Sequence, residues 1–160
     1  MGKTIIVSNR LPIRIAKVEN SFEFTPTSGG LATGLHSVHK NKNSLWVGWP
    51  GIGSDTLDES EWEPLKDSLT ENNYCPVSLS TEEIDDFYYG LPNKCLWPLF
   101  HYFIEFSIFN KAHWDSYGEV NEKFSKAVID RIEPGDTVWI QDYQLMLCPK
   151  MIRDACPDVT

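Results

Sequence analysis

The chain has 160 residues, 41% of them hydrophobic and 12% aromatic, which is apolar material for one domain core of ordinary size. Lys and Arg number 14 against 23 Asp and Glu, and the net charge of -9 disfavours nucleic acid and anionic membranes as partners. Any anion it binds must therefore be held by local cations and backbone N–H groups. Cys75, Cys95, Cys148 and Cys156 form no CxxC pair and sit in or beside apolar runs, a pattern of reduced, buried thiols rather than of disulfides or a metal site. The apolar run Ile5–Val7 is too short for a signal peptide, and no segment reaches the length of a membrane span. The expectation is a soluble cytoplasmic protein.

In chain order, Thr4–Val7 reads as a short buried strand that runs into Ser8-Asn9-Arg10. Pro12–Ala16 and Ser21–Thr25 alternate in polarity around Glu19-Asn20, which predicts a β-hairpin excursion beyond the strand's carboxyl end. From Gly30 to Lys40, Leu31, Leu35 and Val38 recur at helical spacing, so Gly29 and Gly30 lie at a helix start. Leu45–Trp49 is a second strand closed by Pro50-Gly51. The acidic stretch Ser54–Asn73 carries only a weak helical signal in Trp62, Leu65 and Leu69.

Tyr74–Leu79 reads as a third strand, which Pro76 places near an edge. Ser80 and Glu83 form a capping box ahead of a helix with Ile84, Phe87 and Tyr88 on one face. The run Leu96–Phe103 is aromatic enough to form a wall. Val120, Phe124, Ala127 and Val128 mark a long amphipathic helix, with Glu122 and Lys126 expected to pair on its wet side. Thr137–Ile140 is a fourth strand with Gln141-Asp142-Tyr143 at its carboxyl end; Pro149 suits the first turn of a last helix through Ala155, and Val159-Thr160 resembles a strand start. This alternation predicts an α/β domain, doubly wound and Rossmann-like, with a largely parallel sheet.

Ligands of such sheets gather at strand carboxyl ends, which selects Arg10 and Asp142. A guanidinium there can grip a phosphate with two prongs, or it can be a surface ion pair. A carboxylate there can accept from sugar hydroxyls or act as a base, or it can be a helix N-cap ahead of Tyr143. Gly29 and Gly30 can bring a phosphate close to free helix N–H groups, or they can form an ordinary tight turn. Tyr88 and Trp97 can stack on a sugar face, the alternative being core packing. His36 and His39 share a helix without a third ligand nearby, so a solvated pair is expected rather than a metal site.

Five stretches carry a resemblance: Ile5–Pro12 (IIVSNRLP), Ser28–Leu31 (SGGL), Trp46–Gly51 (WVGWPG), Asn93–Tyr102 (NKCLWPLFHY) and Trp139–Leu145 (WIQDYQL). In this order and spacing the chain resembles the amino-terminal half of the trehalose-6-phosphate synthases, retaining glycosyltransferases of the GT-B fold. The resemblance spans nearly the whole of residues 1–160. It departs from the family pattern at Phe87–Asn93, where Tyr89 neighbours Tyr88, and at Gln141, where many members carry His.

The resemblance implies transfer of glucose from UDP-glucose to glucose 6-phosphate, giving α,α-trehalose 6-phosphate, with no cofactor and no metal. It implies that residues 1–160 are the acceptor-side, amino-terminal Rossmann-like domain. A carboxyl-terminal donor domain is then absent from this chain, and these residues alone are expected to be inactive. By motif, Arg10 would grip the acceptor phosphate, Tyr88, Trp97 and Asp142 would line the acceptor sugar pocket, and Trp49 would extend that wall. Gly29 and Gly30 would offer amides to the donor diphosphate. A homo-oligomer stays open, as do two other readings: a glucosylglycerol-phosphate synthase-like enzyme, and a non-catalytic, sugar-phosphate-sensing subunit of a synthase complex.

Overall fold

A computed structural model describes residues 2–18, 21–40 and 43–160. Ile5, Ile6 and Val7 are completely buried because β1 (Thr4–Arg10) lies inside the sheet with neighbours on both edges. The hairpin of β2 (Ile13–Val18) and β3 (Ser21–Pro26) forms its own antiparallel pair, and its expected turn at Glu19-Asn20 lies outside the described residues. Helix α1 (Gly30–Lys40) has the expected bounds, although Leu31, expected on its apolar face, is exposed while Leu35 is buried. It leads into β4 (Ser44–Trp49).

The weakly patterned acidic stretch is a full helix, α2 (Glu59–Glu71), started by an Asp58/Glu61 capping box and anchored by the completely buried Leu65 and Leu69. Strand β5 (Tyr74–Pro76) is shorter than expected and lies at the sheet edge, as Pro76 requires. The Ser80/Glu83 box caps α3 (Thr81–Glu83), but the helix then widens into a π-helical turn, Ile84–Tyr88. A second π-helical segment, Leu91–Leu96, leads into the single turn α4 (Trp97–Phe100). Such wide turns recur at functional sites.

The long helix α5 (Lys111–Ile129), strand β6 (Thr137–Ile140) and helix α6 (Cys148–Ala155) complete the fold. Lys126 pairs with Asp130 at 3.2 Å, one turn later, and not with the expected Glu122. The carboxylate at i+4 from a lysine near the helix end captures it. Val138 N–H donates to Thr160 O at 2.7 Å, so the last residues run alongside β6 as a strand start would.

The four main strands are all parallel, in the order β5-β4-β1-β6. Both faces are covered, as a parallel sheet demands. Ile5, Val7 and Val47 pack with Phe87, Tyr117, Val120, Phe124 and Ile152 on one face. Ile6 and Trp46 pack with Leu35, Leu65 and Leu69 on the other. The cysteines are free thiols; Cys75, Cys95 and Cys148 are buried, and burial pushes the Cys148 thiol up to about 11. Among the described residues no helix is long and apolar enough to cross a membrane.

The amino ends of β1 and β6 are tied together by Asp136. Its carboxylate accepts from the Lys3 amide at 2.8 Å and the Glu133 amide at 2.9 Å, and it pairs with Lys3 Nζ at 3.0 Å. Burial pushes this carboxyl up, but the Lys3 ion pair and the two backbone donors outweigh it, so it lies below the ordinary Asp value. A depressed carboxyl stabilises the fold above its unfolded-state value, and that stabilisation is lost as pH falls through the depressed one. Asp136→Ala is expected to cost about 2 kcal/mol in urea unfolding at neutral pH, because it strands two amides. The gap from the unsubstituted chain should close as the melts are repeated at pH values below the ordinary Asp range.

Candidate functional site

The chain runs from β1 to β4 to β5 in one direction and then returns to place β6 on the other side of β1. The strand order therefore reverses between β1 and β6, and the connections leaving their carboxyl ends diverge to open a crevice. Register pairs Val7 with Ile140, so Arg10 and Asp142, three and two residues further on, flank this crevice.

Arg10 is exposed at the end of β1. A chain of hydrogen bonds fixes its backbone: Trp46 Nε1 donates to Ser8 Oγ at 2.8 Å, and Ser8 Oγ donates to Arg10 O at 2.8 Å. Its guanidinium lies over the Trp49 ring, Cζ 5.4 Å from the centroid, while Trp49 Nε1 donates to Ile52 O at 2.9 Å. The planar cation is thus held by an aromatic face that leaves its N–H donors free for another acceptor. Gly51, with φ +89°, makes room: a Cβ there would lie 2.5 Å from Arg10 Nη2. Among the described residues no carboxylate pairs with Arg10, which removes the surface ion pair as its explanation. Next to it, Asn9 Oδ1 is buried without a donor among the described residues.

Asp142 is exposed and adopts φ 71°, ψ 165°, a region used almost solely by glycine. Its carboxylate accepts from Tyr143 N–H at 2.9 Å and caps the short 3₁₀ turn Tyr143–Leu145, so the expected N-cap is present. A cap alone does not account for the backbone, because N-cap residues ordinarily sit in the relaxed extended region.

Tyr143, not selected in the sequence, draws the remaining candidates together. Its ring lies 5.8 Å from Trp97 and 6.0 Å from Phe100. Burial pushes its hydroxyl up, and the negative charge of Asp142 and the proximity of Tyr88 add to that shift. Trp97 and Phe100 therefore lie against one half-buried tyrosine whose amide is held by Asp142, with Tyr88 close enough to bear on its hydroxyl. Tyr88 is half-buried; Tyr89 is more exposed, its ring edge-on to Tyr88 at 5.1 Å. Trp97 stays half exposed, steadied by His101, whose Nδ1 lies 2.7 Å from Trp97 O and must carry the proton. The aromatic signal at Tyr143 was legible only as part of the motif around Asp142.

Gly29 and Gly30 stand apart from this cluster, at the start of α1. The first helical bond is Thr33 N–H to Gly29 O at 2.8 Å, so the amides of Gly30, Leu31 and Ala32 have no intrahelical acceptor. Neither glycine has positive φ, and a Cβ at either would meet nothing within 4 Å. The tight-turn explanation therefore has no support here: neither backbone angle nor packing within the chain calls for glycine. The hairpin returns to this helix from the Arg10 side, with Thr27 N–H donating to Pro12 O at 3.0 Å, but no described hydrogen bond or ring contact joins the glycines to Arg10 or Asp142.

His39 stacks on Tyr74 with ring centroids 4.7 Å apart, and the His36 side chain lies outside the described residues. Among the described residues no three His, Cys, Asp or Glu side chains are grouped to hold a metal ion.

The profile of glycosyltransferase family 20 matches residues 2–160. The chain belongs to this family. It is 40% identical over 159 residues to a trehalose-6-phosphate synthase of Mycolicibacterium vanbaalenii, a match covering 98% of this chain and 32% of the relative. The solved α,α-trehalose 6-phosphate synthase from Burkholderia multivorans shares the fold with a TM-score of 0.74 and 26% identity, over 99% of this chain and 32% of that one. A UDP-forming α,α-trehalose-phosphate synthase from Burkholderia xenovorans, solved in complex with glucose-6-phosphate, gives 0.70 and 25% over 97% and 31% of the respective chains. The chain spans about a third of the length of these family members.

The strain at Asp142 is directly testable by thermal melting. Asp142→Ala keeps the strained backbone and removes the cap, and should cost about 1–2 kcal/mol. Asp142→Gly loses the same cap but relaxes the backbone, so it should be clearly more stable than Asp142→Ala. Equal melting temperatures for the two variants would show that the backbone at 142 is not strained.

Proposed function

We propose that this chain is the amino-terminal, acceptor-side domain of an α,α-trehalose-6-phosphate synthase that transfers glucose from UDP-glucose to glucose 6-phosphate. The observation that carries this reading is that the carboxyl ends of β1 and β6, neighbours in the sheet, carry the unpaired guanidinium of Arg10 on one side and the exposed Asp142, beside the Tyr143–Trp97 aromatic group, on the other. Those groups match the chemistry of a hexose phosphate: a dianion, a rim of hydroxyls and two apolar ring faces. The names of the family relatives, and the glucose-6-phosphate held by the Burkholderia xenovorans structure, support the same substrate class.

In this reading Arg10 donates two charge-assisted hydrogen bonds to the phosphate, with Trp49 fixing the plane of the guanidinium. Tyr88 and Trp97 cover the sugar's apolar faces. Asp142 accepts from an acceptor hydroxyl and orients the sugar. The acceptor's anomeric oxygen then bonds to the donor's anomeric carbon as the bond to UDP breaks, and the acceptor proton leaves with the departing UDP. Gly29 and Gly30 present the free amides at the start of α1 to the donor diphosphate, where the helix dipole also favours negative charge.

The rest of the donor site is assigned to the portion of the family members that this chain does not span. Transfer depends on clamping both substrates in reacting geometry, so residues 1–160 alone should form no trehalose 6-phosphate from the two substrates in an endpoint assay. Product formation by these residues would overturn the assignment of the donor site elsewhere.

In the full-length protein, Arg10→Ala should weaken glucose 6-phosphate binding by about 1.5–3 kcal/mol, the worth of a hydrogen bond to a charged group. Binding of unphosphorylated glucose should hardly change. Calorimetry showing equal losses for the two sugars would refute the phosphate role.

A further inference from the structure

We infer that Tyr117 and Asn121, one turn apart on α5, are positioning residues that hold Asp142 in its strained, acceptor-facing geometry. Neither residue touches the crevice: Tyr117 is 1% exposed and Asn121 is completely buried. What they touch is the backbone of the segment that follows Asp142. Tyr117 Oη donates to Tyr143 O at 2.8 Å and accepts from Met146 N–H at 3.0 Å. Asn121 Nδ2 donates to Gln144 O at 3.1 Å, and its Oδ1 accepts from Leu147 N–H at 3.2 Å and from the Cys148 thiol at 3.3 Å.

Two side chains thus satisfy backbone groups at four of the five positions from Tyr143 to Leu147, namely Tyr143, Gln144, Met146 and Leu147, within one short loop. A residue at φ 71°, ψ 165° persists only where its surroundings over-determine the conformation, and this is the clamp that does so. Asp142 in turn is locked to the same segment through Tyr143 N–H, so a shift of the loop moves the carboxylate.

The chemistry of both side chains suits the task. A tyrosine hydroxyl must stay neutral to donate and accept at once, and burial pushes that of Tyr117 up to about 12. The Asn121 amide also donates to Tyr117 O at 2.8 Å, which ties the two together within the helix. The Tyr117 ring lies 5.9 Å from that of Phe87, the residue before Tyr88, so the same side chain braces both halves of the acceptor wall.

This inference rests on the acceptor-site reading of Asp142, and a double-mutant cycle in the full-length protein separates the two. Tyr117→Phe removes one hydroxyl and keeps the ring and its packing. It should raise KM for glucose 6-phosphate about tenfold, a misplacement effect, with KM for UDP-glucose unchanged. In an Asp142→Asn background the same substitution should add nothing, because a positioning residue acts through the group it positions. Additive losses in the cycle, or a lowered melting temperature with KM unchanged in Tyr117→Phe, would overturn the inference while leaving Asp142 in the acceptor site. Asp142→Asn with an unchanged KM for glucose 6-phosphate would overturn the acceptor-site reading and this inference with it.

Discussion

Strand β1 pairs in parallel on both of its edges, with β4 on one side and β6 on the other. Parallel neighbours cannot be joined by tight hairpins, so the chain must cross over a face of the sheet for each one. The crossings to β4 and β5 use α1 and α2, which bury Leu35, Leu65 and Leu69 on one face; the crossing to β6 uses α5, which buries Val120 and Phe124 on the other. The direction of winding reverses at β1. The acceptor-side candidates follow from that reversal, because it sends the chains leaving the adjacent carboxyl ends of β1 and β6 apart.

The crevice is furnished by uneven mechanical means. On the β1 side the order is local: Ser8 holds the backbone, Trp49 holds the guanidinium, and Gly51 leaves room for it. On the β6 side the order is imported. Asp142 occupies a backbone region that costs about 1–3 kcal/mol for a residue with a side chain. The compensation comes from α5, far away in sequence, through Tyr117 and Asn121. Between the two sides the wide turns Ile84–Tyr88 and Leu91–Leu96 deliver Tyr88 and Trp97 to the same tyrosine, Tyr143. A flexible carboxylate would spend orientation entropy on each encounter with a sugar; one locked into a rigid shelf does not.

Much of this was legible in the residues. The α1 bounds, the β6 bounds, the Ser80/Glu83 capping box and the edge position implied by Pro76 all depend on interactions within a few residues. Arg10 and Asp142 were legible for a topological reason, since strand carboxyl ends of such sheets collect ligands. Where the reading fell short, tertiary contacts had intervened. Helix α2 is acidic, carries Pro64, and is held by two buried leucines that a weak pattern undersells. The π-helical turns have no periodicity to read, and Lys126 chose Asp130 over Glu122 by side-chain geometry at the helix end.

By itself, then, the sequence determined the alternation of strands and helices, the charged and aromatic groups at the strand ends, and the family, because these are properties of local spacing and of residue identity. Only the tertiary structure decided that Arg10 is unpaired and stacked on Trp49, that Tyr143 gathers Tyr88, Trp97 and Asp142, and that Asp142 is strained and clamped from α5. The physical reason is separation along the chain. Tyr117 and Tyr143 lie 26 residues apart, Ser8 and Trp46 lie 38 apart, and no local pattern encodes a hydrogen bond across such distances.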